Sequence, residues 1–289
     1  MNHKQSNNPI AFFGTSLFAV FVLEELVQAG TTPDIVVTVP DRPAGRGLEL
    51  TPPPVKTWAI ENNIPVIQPA SLKEESDDLS LLLNTEWDVF IVASYGKIIP
   101  KTLLDTPRRG TLNVHPSLLP KFRGPSPIES QILADERDTG VTIMLLDEEV
   151  DHGPIVAQAS ITPETWPLSR LLLEELLARE GGKLLAEALP PWIAKEFEAS
   201  EQNHTEATFT KKIEKGDGHI NLDDDGYQNY LKYLAYEGWP GVFFFVQKNG
   251  KDARVKITEA ECADGTFRLL SVTPEGKKET PYADFLKQD

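Results

Sequence analysis

The sequence predicts an α/β fold, a doubly wound and largely parallel sheet, followed by a small β domain. Short apolar runs alternate with helix-like segments through residues 10–188, a Pro-led polar stretch follows, and three strand-like runs lie beyond it. Ile10 to Phe13 is an apolar run ending at Gly14, and Leu17 to Ala29 reads as an amphipathic helix closed by Gly30. Further strands are expected at Ile35–Val39, Val89–Ala93, Leu112–His115 and Val141–Leu146. Helices are expected around Thr57–Asn62, Leu79–Asn84, Ser126–Asp135 and Leu168–Ala188. Folds of this class bind ligands beyond the carboxyl ends of their strands.

The boundary is expected after the long helix. PPWIAKEFEASEQNHTEATFT has linker composition, and the runs at 241–247, 253–259 and 266–272 read as strands after a helix-like GYQNYLKYLAYEG. The expected division is a polar, disordered tail at 1–8, a large domain at 9–190, a linker at 191–208 and a small domain at 209–289. A chain of 289 residues, 40% of them hydrophobic, holds a large core and a second small domain. Its single cysteine, Cys262, excludes an internal disulfide and any Cys-rich zinc site, and the five histidines show no metal-ligand spacing, so no metal is expected. The opening MNHKQSNN is too short for a signal peptide and no apolar run approaches a membrane span, which points to a cytoplasmic chain with no membrane partner. GTSLF lacks the G-x-G-x-x-G spacing and no G-x-x-x-x-G-K-[ST] occurs, so neither a dinucleotide nor a nucleoside triphosphate is indicated.

Chemistry concentrates between Asn113 and Gly153. On a strand, Asn113 and His115 project to one side while Val114 turns into the core, and Pro116 ends the ladder. An Asn that donates to an oxygen, a His that moves a proton and an Asp that holds the His are parts for attack on a carbonyl carbon, with Asp151 in the third role. The loop SLLPKFRGPSPI between them is rich in Pro and Gly, residues that shape a backbone. Asp147, Glu148 and Glu149 read as a solvated acidic turn, and His152 as a solvent-facing filler.

NVHPSLLPKFRGPSPI, TGVTIM and VDHGPI resemble the signature of the 10-formyltetrahydrofolate-dependent formyltransferases, and within them most closely the methionyl-tRNA formyltransferases. PDRPAGRG, ASYGKIIP, FTKKIEKGDGHI, WPG and TPEGKK fall in the order of that family, so the resemblance covers nearly the whole chain. It implies catalytic roles for Asn113, His115 and Asp151, with 10-formyltetrahydrofolate as co-substrate. Tyr95, Gly96 and Ile98, with Val150, Ser117 and Leu118, are the implied folate-pocket residues. The implied acceptor is initiator methionyl-tRNA, and the implied state is a monomer.

The PDRPAGRGLELTPPPVK segment reads as an extended polar loop. In methionyl-tRNA formyltransferases the matching loop wedges against the tRNA acceptor stem, its second Arg matching Arg46; formyltransferases of small molecules generally lack it. Arg46 is thus an implied tRNA contact, and the basic clusters add Arg42, Lys121, Arg123 and Lys211 as candidates. The net charge of −16 opposes nucleic-acid binding on average, so such contacts must be local, a strip beside the site. The family ends in a five-stranded oligonucleotide/oligosaccharide-binding (OB) barrel. Residues between Ala260 and Thr266 are too few for it, so an abbreviated, partly open OB-like domain is expected. Two other classes share the motifs: an N-formyltransferase of an amino sugar or another small amine, or a formyl-folate hydrolase; and a non-catalytic tRNA- or folate-binding protein, against which the intact Asn113, His115 and Asp151 argue.

Overall fold

The structure, a computed structural model, describes residues 8–44, 49–248 and 250–288. The expected tail, apart from Asn8, and Arg46 lie outside the described residues.

The chain forms two compact units: residues 1–123, 140–161 and 174–209 make the first, and residues 124–139, 162–173 and 210–289 the second. This differs from the contiguous division expected, because two short stretches from the middle of the chain belong with the C-terminal segment.

In chain order the elements up to the middle of the molecule are β1 (Ile10–Gly14), α1 (Leu17–Gln28), β2 (Ile35–Val37), β3 (Arg42–Ala44), β4 (Glu49–Thr51), α2 (Pro54–Glu61), β5 (Val66–Ile67) and α3 (Asp77–Asn84). Then come β6 (Val89–Ala93), α4 (Lys101–Leu104), β7 (Thr111–His115), α5 (Pro127–Leu133), β8 (Thr139–Leu145), β9 (Ile155–Ile161) and α6 (Arg170–Ile193). The main sheet has the order β5-β2-β1-β6-β7-β8-β9. Strands β5, β2, β1, β6 and β7 pair in parallel, while β8 runs antiparallel to β7 with His115 opposite Thr142.

Both faces of this sheet are covered. Ala11 and Phe13 of β1 and Phe90 and Val92 of β6 join Leu79 and Leu82 of α3 and Leu103 and Leu104 of α4 in one buried cluster. On the opposite face, Gly181 of α6 lies against Val114 and Val141, where a Cβ would come within 2.7 Å of the Val114 side chain. Each fully buried Phe or Leu contributes about 1.5–3 kcal/mol. The order of pairing reverses between β1 and β6, the place where an open α/β sheet leaves a crevice at its carboxyl edge. Two hydrogen bonds span that edge: Thr15 Oγ1 donates to the Tyr95 carbonyl at 2.8 Å, and Ser16 Oγ donates to Ser94 Oγ at 2.8 Å.

The segment expected as an extended loop instead contains a β3–β4 hairpin, Arg42 opposite Thr51. Asp41 anchors its base, accepting from Lys56 Nζ at 2.7 Å and from Gln68 Nε2 at 2.7 Å. These hydrogen bonds, Gln68 first and then Lys56, hold the Asp41 carboxyl below its ordinary pKa. β9, a strand that periodicity did not reveal, pairs with β8 at the sheet edge.

α6 runs past the expected boundary, through Pro190 and Pro191. Two prolines cost the helix two donors, but Ala194 N–H still reaches Pro190 O and Glu196 N–H reaches Pro191 O, both at 3.0 Å. Trp192 makes the extension worthwhile. It is buried, its Nε1 donates to Arg109 O at 3.0 Å, Arg109 Nε donates back to Trp192 O at 2.7 Å, and the guanidinium lies 4.2 Å from its ring centroid.

The second unit contains α5, then α7 (Gly226–Ala235), β10 (Phe243–Lys248), β11 (Lys251–Ala263), β12 (Thr266–Pro274), β13 (Thr280–Pro281) and α8 (Tyr282–Phe285). Among the described residues its sheet has four strands in sequential antiparallel order, an open meander and not a five-stranded barrel. Asp264 and Gly265, at φ +50° and +73°, make the β11–β12 turn in the left-handed conformation that suits a tight hairpin. The middle of the chain joins this unit through α5, which packs on α7, and through Asp135 Oδ1, which accepts from Tyr227 Oη at 3.0 Å and Trp166 Nε1 at 2.7 Å.

Trp192→Ala is expected to destabilise the first unit by about 3–5 kcal/mol, since it empties a buried site and strips the Arg109 carbonyl of its donor. Denaturant unfolding of the variant against the parent protein measures this; a loss below about 1 kcal/mol would show that the helix end is not anchored there.

Candidate active site

β7 delivers Asn113 and His115 to one side, as strand alternation requires. His115 is buried and its imidazole has two neighbours. Nε2 lies 3.1 Å from the Phe122 carbonyl, and because a carbonyl can only accept, this nitrogen carries the hydrogen. Nδ1 faces Asp151 Oδ1 across 3.6 Å, longer than a hydrogen bond. The group that orients His115 directly is therefore a main-chain carbonyl from the Pro-rich loop, which motif reading did not reveal. Asp151 stands beside the second nitrogen, ready to receive charge there. Among the described residues no group takes up the Asn113 amide, so its donors stay available.

Both neighbours of the imidazole sit on strained backbone. Phe122 has φ +60° and Asp151 φ +48°, a left-handed region that costs a non-glycine residue about 1–2 kcal/mol. The loop carrying Asp151 is pressed against the end of β8: a Cβ on Gly153 would stand 2.1 Å from the Leu145 carbonyl, and Leu145 N–H bonds Pro154 O at 2.9 Å. Only glycine permits that approach. Beyond His115 the chain is fixed by Thr142, fully buried on β8. Its hydroxyl donates to Ser117 O at 2.7 Å and accepts from Leu119 N–H at 3.1 Å and Gln158 Nε2 at 2.8 Å, which exhausts its bonding capacity.

The six expected folate-pocket residues separate into two groups. Gly96 is exposed at φ +78°, Ile98 is 86% exposed and Val150 62% exposed, an unusual display of large apolar surface. Leu118 is half-buried. Tyr95 instead has its ring in the core, 5.5 Å from Phe13, and burial pushes its hydroxyl up to about 12. Ser117 is fully buried and its hydroxyl donates to Lys121 O at 2.7 Å. These two shape the loops from behind, because their polar atoms and rings face inward.

The expected nucleic-acid contacts separate as well. Arg42 and Lys121 are exposed on the first unit, and Lys211 is exposed on the second. Arg123 is a correction: it is 3% exposed, with Nη2 at 2.6 Å from Gln202 Oε1 and 2.8 Å from His204 Nδ1, so its guanidinium is committed inside the protein. His152 is another. Its Nδ1 is 2.8 Å from Asp147 Oδ2 and its ring stacks on His204 at 4.1 Å, which gives Asp147 a partner too.

Residues 191–208, expected as linker, belong to the first unit and run beside both loops. Ser200 pairs with Ile155 through two main-chain bonds of 2.7 and 2.8 Å, and Thr208 Oγ1 accepts from Phe122 N–H at 2.8 Å. Composition gave no sign of this because most of the bonds are made by backbone. No helix among the described residues is long and apolar enough to cross a membrane.

Comparison with known proteins identifies the family of the chain. The formyl transferase family matches residues 8–188. The methionyl-tRNA formyltransferase of Chloroflexus aurantiacus is 44% identical over 259 residues, 89% of this chain and 82% of its own. Two solved structures share the fold at 18% identity. One is the methionyl-tRNA formyltransferase from Clostridium thermocellum, with a TM-score of 0.60 over 92% of this chain and 98% of that one. The other is HypX from Aquifex aeolicus in complex with tetrahydrofolic acid, with a TM-score of 0.65 over 98% of this chain and 47% of that one. By its family match over residues 8–188 and its kinship across most of its length, the chain belongs to the methionyl-tRNA formyltransferase family.

Proposed function

We propose that this chain transfers the formyl group of 10-formyltetrahydrofolate to the α-amino group of methionyl initiator tRNA. The observation that carries the reading is the placement of His115 between the Phe122 carbonyl and the Asp151 carboxylate, with the open Asn113 amide two residues before it. The kinship above supplies the acceptor, and the exposed Ile98 and Val150 supply apolar walls suited to a flat pterin.

The unprotonated amine attacks the formyl carbon, and the carbonyl oxygen takes up negative charge. Asn113 donates to that oxygen. The new carbon–nitrogen bond leaves a proton on the attacking nitrogen, while N10 of the folate needs one to depart as the old carbon–nitrogen bond breaks. His115 moves that proton through Nδ1, since Nε2 is held by the Phe122 carbonyl, and the Asp151 carboxylate stabilises the imidazolium formed in passing.

Labelled formyl should pass from 10-formyltetrahydrofolate to methionyl initiator tRNA in preference to the elongator tRNA, and His115→Ala should abolish transfer with the folate still bound. Asn113→Ala should lower kcat by a factor on the order of 10²–10³, the size of losing one oxyanion donor. Transfer to an amino sugar or another small amine with none to tRNA, or release of formate alone, would replace the reading with one of the alternatives on the same residues.

With Arg123 buried, four of the five candidate phosphate contacts remain. The logarithm of tRNA affinity should therefore fall with the logarithm of salt at a slope no steeper than about −4, counting four contacts from Arg42, Arg46, Lys121 and Lys211 at roughly 0.9 each. A slope near −8 in a salt titration would reveal phosphate contacts well beyond these four side chains and overturn the expectation.

A further inference from the structure

We infer that Gln202 is a positioning residue of this reaction, setting the Asp151 carboxylate against His115 from a strap of chain, residues 200–209. It deepens the reading above and rests on it for the identity of the reaction; the geometry is independent of the acceptor.

Gln202 is 5% exposed and its amide is fully used. Nε2 donates to the Asp151 carbonyl at 3.0 Å and to the Gly153 carbonyl at 2.7 Å. Oε1 accepts from Arg123 Nε at 3.2 Å and Nη2 at 2.6 Å. Only one orientation of the amide satisfies this surrounding. Turned over, its oxygen would face two carbonyls and its NH2 would face a guanidinium, which has donors and no acceptor. Arg123 thus fixes the amide, and the amide fixes the turn.

That turn needs holding. Asp151 is in the left-handed region, and a residue kept there persists when its surroundings over-determine it. Two donors on the carbonyls flanking His152, the Ser200–Ile155 pair just beyond, and the stack of His204 on His152 supply that determination. The same strap reaches the other side of the imidazole. Thr208 bonds Phe122 N–H through its hydroxyl, and its main chain bonds Pro120 O at 3.3 Å and Arg123 N–H at 2.9 Å. Phe122, whose carbonyl orients Nε2, and Asp151, which faces Nδ1, are held by one ten-residue segment. Arg123, leading from the first loop to Gln202, closes the circuit.

The experiment compares Gln202→Glu and Gln202→Met, alone and combined with Asp151→Asn, in the full-length protein. A carboxylate at this position still accepts from Arg123 but cannot donate to the two carbonyls; a thioether does neither and fills similar volume. Thermal unfolding selects the variants that fold, the Met substitution serving if the Glu substitution does not. Single-turnover transfer should fall roughly tenfold to a hundredfold with both KM values unchanged. The decisive result is the cycle: in the Asp151→Asn background, the Gln202 substitution should cost nothing further. The side-chain 15N resonances of His115 should shift in either single variant and no further in the double. A purely structural role would instead give additive losses and an unmoved His115 spectrum, and that outcome overturns the inference. If the parent protein makes no formylmethionyl-tRNA, the proposed reaction fails while the His115 spectra still decide the role of Gln202.

Discussion

The hydrogen bond from His115 to the Phe122 carbonyl is the constraint around which the site is arranged. A neutral imidazole has one donor, and spending it on a main-chain carbonyl fixes both the ring plane and the tautomer. Everything next to it follows from that choice. Nδ1 becomes the nitrogen that exchanges protons, so the carboxylate has to stand on that side, and the loop carrying Asp151 has to come down close enough to reach it. Gly153 allows the descent, because the Leu145 carbonyl occupies the space of any side chain there. Phe122 pays for presenting its carbonyl with a positive φ, and Thr142 stiffens the approach to it by bonding three partners at once.

How far this was legible in the sequence depends on which atoms do the work. The alternation in NVH placed Asn113 and His115 on one side, and the strand is found at Thr111–His115. α1 and β6 lie close to their apolar patterns, since buried faces with regular periodicity announce themselves. Main-chain roles leave no such trace. The residue identity of Phe122 says nothing about its carbonyl, and Ser200 and Thr208 act chiefly through backbone and one hydroxyl, so a functional strap looked like a polar linker. β9 was missed for a related reason: as an edge strand of small and polar residues, Ala157 to Ser160 bury too little to show a period.

Charge was the least reliable guide. Arg123 stands two residues from Lys121 and belongs by composition to a basic cluster, yet the two have opposite fates, one buried on Gln202 and the other exposed. An arginine can be buried where a neutral amide and an imidazole nitrogen accept its donors, and its planar fork suits both at once. Tyr95 makes the complementary point about apolar residues. Its ring is core, while Ile98 three residues later is nearly fully exposed, so one short motif contains both a packing residue and a display surface.

The two units distribute these demands differently. The first concentrates strain, close approaches and saturated hydrogen bonds around one imidazole, which demands the rigidity of a sheet covered on both faces. The second is a short meander with hairpin turns and few strands, stabilised by the helix pair α5 and α7. Meander order pairs each strand with its neighbour in sequence, so dropping strands from such a sheet removes local contacts and leaves the remaining pairings intact. Shortening is therefore tolerable where the structure is built from local pairings. It would be ruinous in the first unit, where Arg123, Gln202 and Asp151 are joined across long stretches of chain and the loss of any one leaves buried polar groups unpaired.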